Sequence, residues 1–93
     1  MKMDVYVDIF GVLVPLIGRR LKIALGEGAD ISALVSHLRN QAREEVRVRV
    51  QEILADQALT ILVNGKNVNI LNGAPAHLED GDLITLLPAF AGG

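Results

Sequence analysis

Residues 78–93 read LEDGDLITLLPAFAGG, and this stretch decides the architecture of the chain. It contains an Asp80-Gly81-Asp82 turn, a nearly continuous apolar run from Leu83 to Leu87, and a proline directly after that run. An apolar run without polar alternation is typical of a strand at the centre of a sheet. Because Pro88 cannot donate a hydrogen bond to a neighbouring strand, we predict that the strand ends there.

An opening hairpin is predicted from two segments in which apolar and polar residues alternate. The first is Met3–Ile9 and the second is Arg19–Leu25, with a wide turn at Gly11–Gly18 between them. The core side of the first strand would carry Met3, Val5, Val7 and Ile9. The outer side of the hairpin is expected to place Asp4 and Asp8 near Arg20 and Lys22.

A helical region follows, with Asp30 as the predicted N-cap and apolar residues at helical spacing at Ile31, Leu34, Val35 and Leu38. A single helix from Ile31 to Leu54 would be ~36 Å long and would overhang strands of ~20 Å. We therefore expect a break near Asn40–Arg43 and a second short helix carrying Val46, Val50, Ile53 and Leu54. The segment Val46–Val50 also fits a strand.

Two more strands are predicted at Leu59–Asn64 and Val68–Leu71, and the Asn64-Gly65 pair is typical of a tight turn. The order of elements indicates an α+β fold of the β-grasp kind, with a mixed sheet of about four to five strands packed on one main helix. The last strand would pair in parallel with the first. We predict one β-grasp domain at residues 1–88 and a flexible tail at residues 89–93.

Composition excludes several classes of function. The chain has 93 residues, a net charge of −2 and no cysteine, so it has no disulfide, thiolate metal site or cysteine nucleophile. Nothing in this balance indicates nucleic acid or an anionic membrane as a partner. No apolar run approaches the ~20 residues of a membrane helix, and Asp4 and Asp8 interrupt any leader segment. The sequence is that expected of a soluble cytoplasmic protein.

No catalytic constellation is visible in the sequence. His37 and His77 stand alone, without carboxylates at a metal-binding spacing, and Ser32 and Ser36 lack the context of a nucleophile. Four arginines between Arg39 and Arg49 are balanced by nearby glutamates, which is typical of a solvated helix face. We therefore expect no metal, no cofactor and no enzymatic activity from this chain alone.

The end of the sequence, Gly92-Gly93, carries the remaining chemistry. Glycines have no Cβ, so such a tail can enter a narrow channel and present the carboxylate of Gly93 in another protein's active site. A carboxylate can attack an activated phosphate and give an acyl-adenylate. Two glycines alone would equally be an ordinary disordered end, but here they follow a proline-terminated strand at a short fixed distance.

The segments ILVNGKNVNILNG, residues 61–73, and LEDGDLITLLPAFAGG closely resemble the small sulfur-carrier proteins with a ubiquitin-like fold. That group includes the molybdopterin synthase small subunit, the thiamine sulfur carrier and the small archaeal modifier proteins, and the resemblance is strongest to the first. It is looser over residues 3–38 and poor over residues 41–59. Ala89 stands where that subunit commonly has a second proline, and Phe90 where it has a small aliphatic residue.

The resemblance implies that a ubiquitin-activating-type enzyme uses ATP to adenylate Gly93, and that a sulfur donor protein then converts the carboxylate to a thiocarboxylate. The large subunit of molybdopterin synthase would receive the sulfur for the dithiolene of a molybdenum or tungsten cofactor. ATP and any zinc would belong to the activating partner.

A docking face is expected on the open side of the sheet. If Met3–Ile9 packs on the helix as predicted, Tyr6 and Phe10 point outward, and Leu62 and Leu87 are expected to join them. The tail residues Pro88, Phe90, Ala91 and Gly92 are expected to contact the same partners. Scattered exposure of apolar side chains is the alternative explanation of the outward residues.

Two other functions remain open at this point. The first is a ubiquitin-like modifier joined through Gly93 to lysines of target proteins. The second is a plain β-grasp binding module whose tail has no role.

Overall fold

The computed structural model describes residues 1–56, 58–68 and 77–88. Within them the strands are β1 (Lys2–Ile9), β2 (Arg20–Gly26), β3 (Thr60–Val63), β4 (Lys66–Val68) and β5 (Leu83–Leu87). The helices are α1 (Val14–Ile17), α2 (Ile31–Gln41) and α3 (Arg47–Leu54). The strands form one sheet in the order β2-β1-β5-β3-β4, so the predicted α+β β-grasp fold is confirmed.

The predicted pairing of the first and last strands is also confirmed. β1 and β5 are parallel neighbours at the sheet centre, with Tyr6 opposite Leu83 and Ile9 opposite Leu86. β1 pairs antiparallel with β2 on one side, and β5 pairs antiparallel with β3 on the other. Both edges of β1 and both edges of β5 are therefore paired with neighbouring strands.

One face of the sheet and the helices enclose an apolar core. The alternation within the strands directs their branched residues at α2 and α3, whose own apolar side chains recur at helical spacing. The largest fully buried side chains are Val5, Val7, Ile9, Leu13, Ile23, Leu34, Leu38, Val50, Ile84 and Leu86. The opposite face carries no helix in the described residues, and we call it the outer face.

The helical region breaks where the sequence predicts. Asp30 caps α2 by accepting a hydrogen bond from the backbone N–H of Ala33 at 2.9 Å, and Ala42 has an extended backbone directly after the helix. The side chain of Arg47 donates to the carbonyl oxygens of Asn40 and Ala42, at 3.4 and 3.0 Å, so the start of α3 satisfies the end of α2. The alternative of a strand at residues 46–50 is wrong.

Two local predictions differ from the structure. Residues 11–18 form a 3-10 turn, Gly11–Leu13, and the one-turn helix α1, because Leu13 turns into the core and becomes fully buried. β4 covers Lys66–Val68, earlier than predicted, because the Asn64-Gly65 turn, with positive φ at both residues, pairs Lys66 directly with Val63. Residues 69–71, which were predicted to continue this strand, and the tail at 89–93 lie outside the described residues.

No helix in the described part of the chain is long and apolar enough to cross a membrane.

The N-cap of α2 is a direct test of this local structure. The substitution Asp30→Ala removes the acceptor for the Ala33 N–H and should lower the free energy of unfolding by about 1 kcal/mol. Urea unfolding followed by circular dichroism measures the change. Ser32→Ala, at an exposed position in the same turn, is the control and should stay within about 0.5 kcal/mol. Equal losses from both substitutions would contradict the assigned cap.

Candidate functional site

The outer face of the sheet carries an apolar patch at its centre. Because alternate residues of a strand point to opposite faces, the buried Val5, Val7 and Ile9 leave Tyr6 and Phe10 on the outer face. Tyr6 is 38% exposed, and Phe10, directly after β1, is 46% exposed. The prediction that these two residues point outward is confirmed.

The register of β5 decides which of its residues join them. Ile84 and Leu86 are buried, so Leu83, Thr85 and Leu87 point to the outer face. Leu83 lies beside Tyr6, while Leu87 lies opposite Thr60 on β3. The predicted position of Leu87 on the outer face therefore agrees with the strand pairing.

Leu62 completes the patch from β3. Its neighbour Ile61 is buried in the core, and Leu62 is half-buried opposite Thr85, which points outward. We define the outer patch as Tyr6, Phe10, Leu62, Leu83 and Leu87. The structure thus places the four predicted sheet residues on the outer face and adds Leu83, whose alternation was hidden in the sequence because Thr85 is the one polar residue of β5.

One ion pair lies on the outer face beside this patch. Arg20 Nε donates to Asp8 Oδ1 at 2.6 Å, and Arg20 Nη2 donates to Asp8 Oδ2 at 3.0 Å, as expected from their opposed positions on β1 and β2. The hydrogen bonds from Arg20 lower the pKa of the Asp8 carboxyl, against a smaller opposing effect of desolvation. The same bonds raise the pKa of Arg20. The second predicted pair, Lys22 with Asp4, is a looser contact of 3.9 Å.

The route by which the chain leaves the sheet lies at one end of the outer patch. The backbone N–H of Phe10 donates to the carbonyl oxygen of Leu86 at 3.2 Å, so the last residues of β1 and β5 are adjacent. Pro88 is buried directly after β5. The remaining predicted site residues, Phe90, Ala91, Gly92 and Gly93, lie outside the described residues.

The opposite end of β5 is held by a hydrogen-bonded loop. The Asp80 carboxylate accepts from the backbone N–H of Asp4 at 2.7 Å, and Gly81 N–H donates to the Asp4 carbonyl oxygen at 2.7 Å. Asp82 accepts from the side-chain amide of Asn64 at 2.8 Å and from the Glu79 N–H at 2.8 Å. These acidic residues are therefore used in the turn, as the sequence predicts.

The described residues contain no group of three or more histidine, aspartate or glutamate side chains that could hold a metal ion. His77 is exposed, with its Nδ1 atom 3.3 Å from the carbonyl oxygen of Gly28, and His37 is half-buried on α2. The described residues instead form a surface suited to binding another protein, next to Pro88, where the chain leaves the sheet.

A comparison with protein families finds that the ThiS family matches residues 7–93, which is nearly the whole chain. No curated protein matches it. Among solved structures, the HVO 2177 protein of Haloferax volcanii has a TM-score of 0.78 at 19% identity, over 99% of this chain and 88% of that one.

Two further structures share the fold. A candidate molybdopterin converting factor, subunit 1, from Pyrococcus furiosus has a TM-score of 0.68 at 23% identity, over 92% of this chain and 97% of that one. The small archaeal modifier protein 1 of Methanosarcina acetivorans has a TM-score of 0.66 at 27% identity, over 100% of this chain and 99% of that one. The chain therefore belongs to the ThiS family and is a small ubiquitin-like carrier or modifier protein, not an enzyme.

Proposed function

We propose that this protein is a sulfur carrier whose reactive group is the carboxylate of Gly93. The observation that carries the proposal is the family match, which extends through the Gly92-Gly93 end of the sequence. An exposed apolar patch beside the exit of the chain supports it, because a carrier must be held while its end reaches another protein's active site.

The chemistry would begin with the Gly93 carboxylate, which is ionised at neutral pH. Its oxygen attacks the α-phosphorus of ATP in a ubiquitin-activating-type enzyme, pyrophosphate leaves, and an acyl-adenylate forms. A hydrosulfide ion released by a sulfur donor protein then attacks the acyl carbon, the bond to AMP breaks, and a thiocarboxylate, AMP and a proton remain. ATP is a substrate of the activating enzyme, and the carrier contributes its carboxylate and its binding surface. We propose the cytoplasm as the site of these reactions.

The acceptor we propose is a precursor of molybdopterin, bound by the large subunit of a synthase. The likeness to the Pyrococcus furiosus protein, described as a candidate molybdopterin converting factor subunit, supports this choice. In this reaction the carrier would bind the large subunit through the outer patch and deliver sulfur to the dithiolene of a molybdenum or tungsten cofactor.

A second function is favoured by a separate observation, the 27% identity to small archaeal modifier protein 1 over the full length of both chains. In that case the amine of a lysine on a target protein would attack the acyl carbon, AMP and a proton would leave, and Gly93 would remain in an isopeptide bond. Both functions share the adenylation step and the same docking face.

The first prediction concerns the tail. Deletion of Gly92 and Gly93 should abolish ATP–pyrophosphate exchange by the host's activating enzyme, because the reactive carboxylate is removed from the catalytic centre. The melting temperature should change little, since two glycines add no side chain to the core. Exchange at the normal rate would overturn the proposal that the Gly93 carboxylate is the reactive group, and a large loss of thermal stability would show that the tail is structural.

The second prediction concerns the outer patch. Tyr6→Asp and Leu62→Asp should each weaken binding to the activating enzyme at least tenfold, about 1.4 kcal/mol, because a charge would be placed in an apolar contact. Isothermal titration calorimetry measures the affinity, and thermal unfolding shows that each variant still folds.

A control variant is available on the helical side of the molecule. Val48 is 69% exposed on α3, so Val48→Asp introduces the same charge on another exposed apolar side chain, away from the outer face. It should leave binding unchanged. If Val48→Asp weakens binding as much as the patch variants do, the effect comes from net charge and the proposed docking face is wrong.

A further inference from the structure

The ion pair on the outer face is asymmetric in its exposure to solvent. The side chain of Asp8 is only 19% exposed, whereas that of Arg20 is 70% exposed. Asp8 lies on β1 between Tyr6 and Phe10, and its neighbour on the adjacent strand β5 is Thr85. The side chain of Asp8 is therefore largely covered, while that of Arg20 extends from the edge strand β2 into solvent.

The geometry of the pair leaves part of the guanidinium unused. An arginine side chain has five N–H donors, and Asp8 accepts from Nε and from one hydrogen of Nη2. Three donors remain: both hydrogens of Nη1 and the second hydrogen of Nη2. In the described part of the chain, no other acceptor is bonded to them. Nη1 and Nη2 together form the end-on fork that binds the two oxygens of a carboxylate.

Asp8 also limits the freedom of this fork. Two hydrogen bonds from Arg20 fix the plane of the guanidinium relative to the sheet, so part of the ordering cost is met before a partner binds. In water an exposed pair of this kind contributes little to stability. Once a partner covers the outer patch, however, the charges lose water, and any donor left unpaired is costly.

We propose that the free fork of Arg20 binds an aspartate or glutamate carboxylate of the activating enzyme when the outer patch docks on it. This inference rests on the proposed function, because it assumes that an adenylating enzyme binds the carrier. Asp8 is then a positioning residue, which acts by orienting Arg20. The apolar patch supplies contact area, and Arg20 fixes the orientation of the carrier on the enzyme.

The planar fork distinguishes this proposal from a general attraction of opposite charges. A lysine at position 20 would keep the positive charge, but its compact ammonium group cannot span both oxygens of a carboxylate. Arg20→Lys should therefore lose most of the interaction. A contact that depends only on net charge would survive this substitution.

The test is ATP–pyrophosphate exchange by the host's activating enzyme, measured over a range of carrier concentrations with the full-length chain. Arg20→Gln and Arg20→Lys should raise the KM for the carrier about ten- to a hundredfold, the range expected for a charge-assisted hydrogen-bonded pair, with kcat nearly unchanged. Asp8→Asn keeps the guanidinium but weakens its orientation, so it should raise KM by a smaller factor.

Two matched controls separate the fork from other effects. Arg19→Gln removes the same charge from an exposed arginine that makes no ion pair in the described residues. Lys22→Gln removes a positive charge from the outer face of β2, the strand that also carries Arg20. Both should leave KM within about twofold, the scale of a surface substitution. Thermal unfolding of every variant shows whether the fold is kept.

The outcomes are distinguishable from failure of the proposed function. If the unaltered chain supports no exchange, the proposed function fails, and this inference fails with it. If the unaltered chain supports exchange and folded Arg20→Gln has an unchanged KM, the inference alone is wrong. Full activity of Arg20→Lys, or an equal rise in KM for Arg19→Gln, would also overturn it.

Discussion

The parallel pairing of β1 with β5 is the constraint on which the other features of this fold depend. It joins the two ends of the sequence at the centre of the sheet and places Val7 beside Ile84 in the core. Because side chains alternate along a strand, a shift of one residue in this register would bring Ile84 and Leu86 to the outer face. Core packing therefore fixes both the register and the composition of the outer patch.

The same pairing relates the docking surface to the end of the chain. The strands run in the same direction, so β1 reaches Phe10 at the end of the sheet where β5 reaches Pro88. A partner that covers Tyr6, Phe10 and Leu87 is consequently next to the point from which the last residues of the chain begin. This arrangement suits a protein that contributes a reactive end to another protein's active site, and it agrees with membership of a family of non-catalytic carriers and modifiers.

Much of the fold is predictable from sequence because the strands alternate clearly and the turns have distinctive residues. The β1–β2 hairpin, the Asp30 cap and the break before α3 all follow from short-range patterns. The helical turns at residues 11–17 do not, because the apolar residues there show neither helical nor strand spacing. Their conformation depends on the burial of Leu13 in the core. Leu83 was missed in an apolar run, and the bidentate geometry of Asp8 with Arg20 depends on side-chain rotamers that strand patterns do not specify.

The central claim is that Gly93 carries sulfur, and the state of its carboxyl group in the host tests this directly. The protein is purified under denaturing, non-reducing conditions, alkylated with a thiol reagent and cleaved before aspartate residues. The chain has no cysteine, and the fragment 82–93 has no methionine whose oxidation would mimic the mass change from oxygen to sulfur. The account predicts that this fragment carries one alkylated thiocarboxylate. Finding only the free carboxylate, together with residues 82–93 attached to target lysines through isopeptide bonds, would contradict it.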